Sequence, residues 1–62
     1  MESYKEQGNV AFKQKNYIEA INFYSQAIEE TPTDHTIFGN RAAAYHNLKK
    51  YRQAKTDAEA CI

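Results

Sequence analysis

Shifted against itself by 34 positions, the chain aligns Tyr4 with Phe38, Gly8 with Ala42, Tyr17 with Tyr51, Ala20 with Ala54, Ala27 with Cys61 and Ile28 with Ile62. Few of these pairs are identities, but bulky residues meet bulky ones and small residues meet small ones. A unit of this length cannot enclose a core alone. It buries its apolar face against the next copy, which is the logic of stacked repeats. The expectation is therefore an all-α chain of tandem antiparallel helical hairpins: four helices, about two repeats, with 1–62 as a single domain. Repeat one spans 1–34 and an incomplete repeat two spans 35–62.

Local patterns place the helices. From Ser3 to about Gln14, Tyr4, Gly8, Ala11 and Phe12 fall near one face. Gly8 costs about 1 kcal/mol against alanine in a helix interior, so it is expected to admit the close approach of another backbone. Lys15-Asn16 breaks the pattern, and Asn16 with Glu19 three residues on suits a capping box. Between Tyr17 and Glu30, the residues Tyr17, Ala20, Ile21, Tyr24, Ala27 and Ile28 recur at i, i+3, i+4, i+7, i+10 and i+11. Thr31-Pro32-Thr33-Asp34 stops that helix, because proline cannot continue the ladder, and Thr33 or Asp34 can cap the next.

The third helix is expected from about His35 to Leu48. Phe38, Ala42, Tyr45 and Leu48 lie on one stripe, read as its packing face. Asn40 and Ala43 lie on another, polar and small, as the wall of a groove requires. The fourth helix begins near Tyr51 with a thinner stripe of Tyr51, Ala54, Ala58, Cys61 and Ile62. Lys50 stands where Asn16 stood, so this helix lacks a side-chain cap and is expected to be the least stable.

Bulk properties narrow the function. Eight basic and eight acidic side chains give zero formal charge with no basic stripe, which argues against nucleic acid. No apolar run approaches the roughly 20 residues of a membrane span, and the first residues carry no apolar secretory segment. The one cysteine cannot form an internal disulfide, so a reducing, cytoplasmic location is expected. Neither Cys61 nor the histidines His35 and His46 have the neighbours that nucleophilic or zinc chemistry needs. Glu29-Glu30 reads as a solvated pair at a helix end, and no glycine-rich phosphate loop occurs. An enzyme is not expected, nor a metal or cofactor.

The period and helix content resemble the tetratricopeptide (TPR) repeat family. Tyr4, Gly8, Ala20, Tyr24, Ala27 and Pro32 occupy its signature positions in repeat one, while Gln7 and Ala11 depart from it. Phe38, Ala42, Tyr45, Ala54 and Cys61 do so in repeat two, with Arg41 and Ala58 departing. The resemblance implies an α-solenoid fragment whose first helices line a concave face.

Lys5 and Asn9 are one helical turn apart, on a face distinct from Tyr4 and Gly8. Asn40 comes 35 positions after Lys5, so stacking would bring an ammonium and two carboxamides together. Such a set suits a carboxylate. Lys5-Glu6-Gln7-Gly8-Asn9 and Gly39-Asn40-Arg41-Ala42-Ala43-Ala44-Tyr45 resemble the carboxylate-clamp subfamily, co-chaperones of the Hsp-organising, small glutamine-rich and protein-phosphatase-five types. There the clamp grips the last aspartate of Glu-Glu-Val-Asp tails on large cytosolic heat-shock chaperones. Carried over, Lys5, Asn9 and Asn40 match its first three positions. Its remaining lysine and arginine belong to a third repeat, so the expected clamp is partial.

Phe12 and His46 share a repeat position and are candidates to line the groove, with Ala43 leaving room. Each has a plainer reading: Lys5 as a solvated lysine, Asn9 bonded locally, Phe12 and His46 packing between helices, Arg41 in an inter-helix ion pair. The alternative for the whole chain is a structural, self-associating unit that retains no peptide binding. Its exposed stripe of Tyr51, Ala58 and Ile62 would be covered in a homodimer.

Overall fold

The computed structural model describes residues 3–61, which form α1 (Tyr4–Lys13), α2 (Tyr17–Glu30), α3 (His35–Asn47) and α4 (Tyr51–Cys61). The architecture is the expected pair of tandem hairpins. α1 packs on α2, α3 on α4, and α3 also lies against α2 and touches α1. Ile62, the last residue of the fourth stripe and the partner of Ile28 in the repeat, lies outside the described residues.

The helices start and stop for identifiable reasons. The Ser3 hydroxyl accepts from the Glu6 N–H at 3.2 Å and caps α1. The Asp34 carboxylate accepts from the Thr36 N–H at 3.1 Å and caps α3. α1 and α3 end in the same way, 34 residues apart. Lys15 and Lys49 take left-handed backbone, φ 63° and 61°. Lys15 N–H reaches Phe12 O and Asn16 N–H reaches Ala11 O, while Lys49 N–H reaches His46 O and Lys50 N–H reaches Tyr45 O. Each is a Schellman closure with lysine where glycine is usual.

That closure explains a departure from expectation. Asn16 precedes α2 but makes no side-chain cap bond, so no capping box with Glu19 forms. Its backbone is already committed to finishing α1, and its amide Nδ2 turns back to Gln14 Oε1 at 3.5 Å.

The main core comprises Ala11, Ala20, Tyr24, Ala27, Ile37 and Ala44, with Phe12, Tyr17, Ile21, Phe23 and Ile28 packed around it. α3 departs from the expected packing stripe of Phe38, Ala42, Tyr45 and Leu48. Ile37, Ala42 and Ala44 are its buried residues, whereas Phe38, Tyr45 and Leu48 are only half-buried. α3 is sandwiched, so it has two packing faces: Ile37 and Ala44 meet the first hairpin, Tyr45 lies beside α4, and Leu48 shares a hollow with Lys15, Asn16 and Tyr17. Burying Ile37 alone is worth roughly 1.5–3 kcal/mol.

On α4 the buried positions are Ala54 and, unexpectedly, Asp57, with Tyr51 and Ala58 exposed. Asp57 accepts from Arg41 Nε at 2.7 Å and Nη2 at 2.8 Å, and Arg41 Nη1 donates to Ser25 at 3.0 Å. One guanidinium thus joins α2, α3 and α4, with its carbon 5.6 Å from the Phe38 ring centre and 5.9 Å from that of Tyr45. The Asp57 carboxylate holds this guanidinium charged even more firmly than usual, against a smaller opposing effect of burial.

Candidate functional site: a two-carboxamide groove

Gly8 is where the site begins. A methyl group there would come within 2.6 Å of Tyr24 Cε1, so what the glycine admits is a tyrosine ring from α2 rather than the expected backbone. The ring is buried, with 1% of its surface exposed, and lies across α1. Its hydroxyl emerges beside the next residue and donates to Asn9 Oδ1 at 2.6 Å. Burial raises the Tyr24 pKa above its ordinary value, so the hydroxyl keeps its proton at any working pH.

Asn40, from the second hairpin, donates through Nδ2 to the same Asn9 oxygen at 3.4 Å. Asn9 Oδ1 therefore accepts from two donors, one from each hairpin. Around the two carboxamides lies an open groove of about 330 Å³, lined by Asn9, Phe12, Lys13, Tyr24, Asn40 and Ala43. The carboxamides offer N–H donors, Phe12 and Ala43 supply apolar surface, and Lys13 adds a cation. An anionic oxygen flanked by apolar surface matches that pattern.

The structure brings Asn9, Asn40, Phe12 and Ala43 to one groove but sets two other expected residues apart. Lys5 is one turn before Asn9, yet its ammonium donates to Thr36 Oγ1 at 2.8 Å and to Asp34 Oδ2 at 3.3 Å. The chain supplies its own carboxylate to this lysine. Thr36 also hydrogen-bonds Asp34 through its hydroxyl, and together these contacts hold the Asp34 carboxyl below the usual carboxylate range, Thr36 contributing most.

His46 lines a neighbouring apolar slot with Ala42, Ala43, Tyr51, Ala54, Lys55 and Ala58. Its ring meets Tyr51 edge-on at 5.3 Å, repeating the 5.3 Å contact of Phe12 with Tyr17 one repeat earlier. So the shared position of Phe12 and His46 is first a packing position against the following helix. Lys13 and Tyr24 were not among the expected lining residues. The i+4 step from Asn9 to Lys13 could have indicated the first; nothing in the pattern around Tyr24 signals that its hydroxyl reaches α1.

Among the described residues no group of three His, Cys, Asp or Glu side chains could hold a metal ion, and no helix is long and apolar enough to cross a membrane.

Two-helix units repeated at 34 residues, with a groove lined from the first helix of each, define a helical-repeat scaffold of the solenoid class. The TPR repeat family profile matches residues 8–49. The chain belongs to the TPR repeat family. It is 46% identical over 63 residues to "Heat shock protein STI1" of Saccharomyces cerevisiae, an alignment covering 98% of this chain and 10% of that protein. It is 49% identical over 61 residues to "Small glutamine-rich tetratricopeptide repeat-containing protein 2" of the same yeast, covering 98% of this chain and 18% of the relative. It is 45% identical over 58 residues to "Hsp70-Hsp90 organizing protein" of Triticum aestivum, covering 94% and 10%. The chain thus spans a small part of the length of each of these relatives.

Proposed function

We propose that this chain is a peptide-binding module of co-chaperone type, whose groove receives the acidic C-terminal tail of a large cytosolic heat-shock chaperone. It acts by binding in the cytoplasm, without catalysis. The observation that carries the reading is the meeting of Asn9 and Asn40, one carboxamide from each repeat, in a groove that also holds the cation of Lys13 and the apolar Phe12 and Ala43. The relatives named for Hsp70 and Hsp90 organisation support the choice of partner.

In this reading the terminal carboxylate accepts from the amide N–H of Asn9 and from Asn40. Lys5 exchanges Asp34 for the ligand's second carboxylate. Because that exchange trades one ion pair for another at the surface, its net gain is small, about 1 kcal/mol or less. Most selectivity for a free terminus then comes from the carboxamides. Phe12 and Ala43 flank the apolar residue before the terminus.

The test is a titration with a peptide ending in Glu-Glu-Val-Asp, its terminus either free or amidated. The free form is expected to bind several-fold more tightly, and Asn9→Ala and Asn40→Ala are expected to abolish the difference. Equal binding of the two forms by the unmodified chain would remove the proposal.

A second reading has one observation of its own. The slot of Ala42, Ala43, His46, Tyr51, Ala54 and Ala58 leaves Tyr51 56% exposed, an apolar surface suited to self-association. Light scattering across the micromolar range distinguishes a monomer from a homodimer covering that slot.

A further inference from the structure

We infer that Tyr24 is a positioning residue for the groove: its buried hydroxyl fixes the Asn9 carboxamide with the oxygen inward and the N–H edge outward. The inference rests on the carboxylate-binding reading above and deepens it.

An asparagine side chain can present either end of its amide, since rotation by half a turn exchanges an acceptor for a pair of donors. A groove meant for a carboxylate needs the donor end. The bond from the Tyr24 hydroxyl to Asn9 Oδ1, at 2.6 Å, selects it. In the reversed orientation both bonds to Asn9 Oδ1 would be lost; the phenolic oxygen could then only accept from Nδ2, and its own proton would need another acceptor in a buried place, which is disfavoured. Asn40 Nδ2 adds a weaker bias of the same sign from the other repeat, at 3.4 Å. Tyr24 reaches this place only because Gly8 has no side chain to block its ring.

The chain contains its own comparison. One repeat later, the positions of Gly8, Asn9 and Tyr24 are taken by Ala42, Ala43 and Ala58. The glycine, the carboxamide and the tyrosine are absent together. The methyl of Ala42 would exclude a ring at 58 as it would at Gly8, and where the ring is absent the carboxamide it would hold is absent too. The three residues behave as one device, present in repeat one and replaced as a set in repeat two.

Tyr24→Phe keeps the ring over Gly8 and removes only the hydroxyl. It is expected to leave the helical circular dichroism unchanged and to lose about five- to tenfold of affinity for the free-terminus peptide, one hydrogen bond's worth. The preference for free over amidated terminus should narrow with it. Tyr24→Phe added to Asn9→Ala should cost nothing further, because the tyrosine acts through the asparagine. Full additivity, or unchanged affinity and preference in Tyr24→Phe, would overturn the inference while leaving the groove's function intact.

A measurement without peptide separates the two claims. The Asn9 side-chain amide, followed by nitrogen relaxation in solution, should be ordered in the parent and mobile in Tyr24→Phe. Equal order in both would overturn the positioning role even if no peptide bound at all.

Discussion

Arg41 and Asp57 form a two-bond ion pair between α3 and α4, with only 6% of the Asp57 side chain exposed. Breaking such a pair from one side strands a charge in the interior, which costs far more than the pair itself contributes. Arg41→Met is accordingly expected to destabilise the chain by about 2–3 kcal/mol, a large share of what so small a domain has. Arg41→Met combined with Asp57→Leu should recover much of that loss, since no charge is then left behind. Urea midpoints of the two singles and the double decide it; strictly additive losses would contradict the argument.

Gly8→Ala opposes two effects. The added methyl improves helix propensity by about 1 kcal/mol. It also drives into the Tyr24 ring at 2.6 Å, and that ring is buried and tethered through its hydroxyl. Overpacking of this kind typically costs about 1–3 kcal/mol. The net expectation is a loss of up to about 2 kcal/mol, together with a displaced Asn9. A rise in melting temperature on substitution would mean the ring moves aside freely.

Lys15 and Lys49 carry the left-handed backbone at the ends of α1 and α3. That conformation is unfavourable for a side chain with a Cβ by about 1 kcal/mol. Glycine relieves it but has more freedom to lose on folding. Lys15→Gly and Lys49→Gly should therefore each stabilise the chain by about 0.5 kcal/mol, and any departure from additivity in the double reports coupling of the two turns through Leu48, which shares a hollow with Lys15 and Asn16. Thermal melts of both singles and the double are the check.

Asp34 has a depressed pKa, owing first to the Thr36 hydroxyl and to a lesser degree to Lys5. A carboxyl whose folded pKa lies below its unfolded value contributes stability above the ordinary aspartate range, near 3.9, and loses it as pH falls through the depressed value. Nuclear magnetic resonance titration of the Asp34 carboxyl should give a midpoint under the ordinary value. Thr36→Val should return it upward further than Lys5→Met does. An ordinary midpoint in the parent chain would refute both statements.

The repeat period carried the fold because it encodes packing between units, and Gly8, Ala20, Ala42 and Ala54 are small where helices must approach. α2 buries Ala20, Tyr24 and Ala27 of its stripe and packs Tyr17, Ile21 and Ile28 around the same core, as its spacing indicated. α3 did not follow its stripe, because the residues it buries, Ile37, Ala42 and Ala44, are not spaced as one helical face. Asp57 was missed for a related reason. It stands at the i+3 step between Ala54 and Ala58, on the apolar stripe, where an acid implies a buried partner. The groove was legible to the extent that Asn9 and Asn40 are polar residues on the first helices of the two stacked units, off the stripes that pack. Lys5 was not, since its attraction to Asp34 depends on how the loop before α3 folds back over α1.

Asp57 occupies the position that Phe23 holds one repeat earlier. An aromatic ring glues the first hairpin where a fixed guanidinium–carboxylate couple bolts the second. Because the same guanidinium reaches Ser25 on α2, what fastens the second hairpin internally also ties it to its neighbour, so loosening one joint loosens the other.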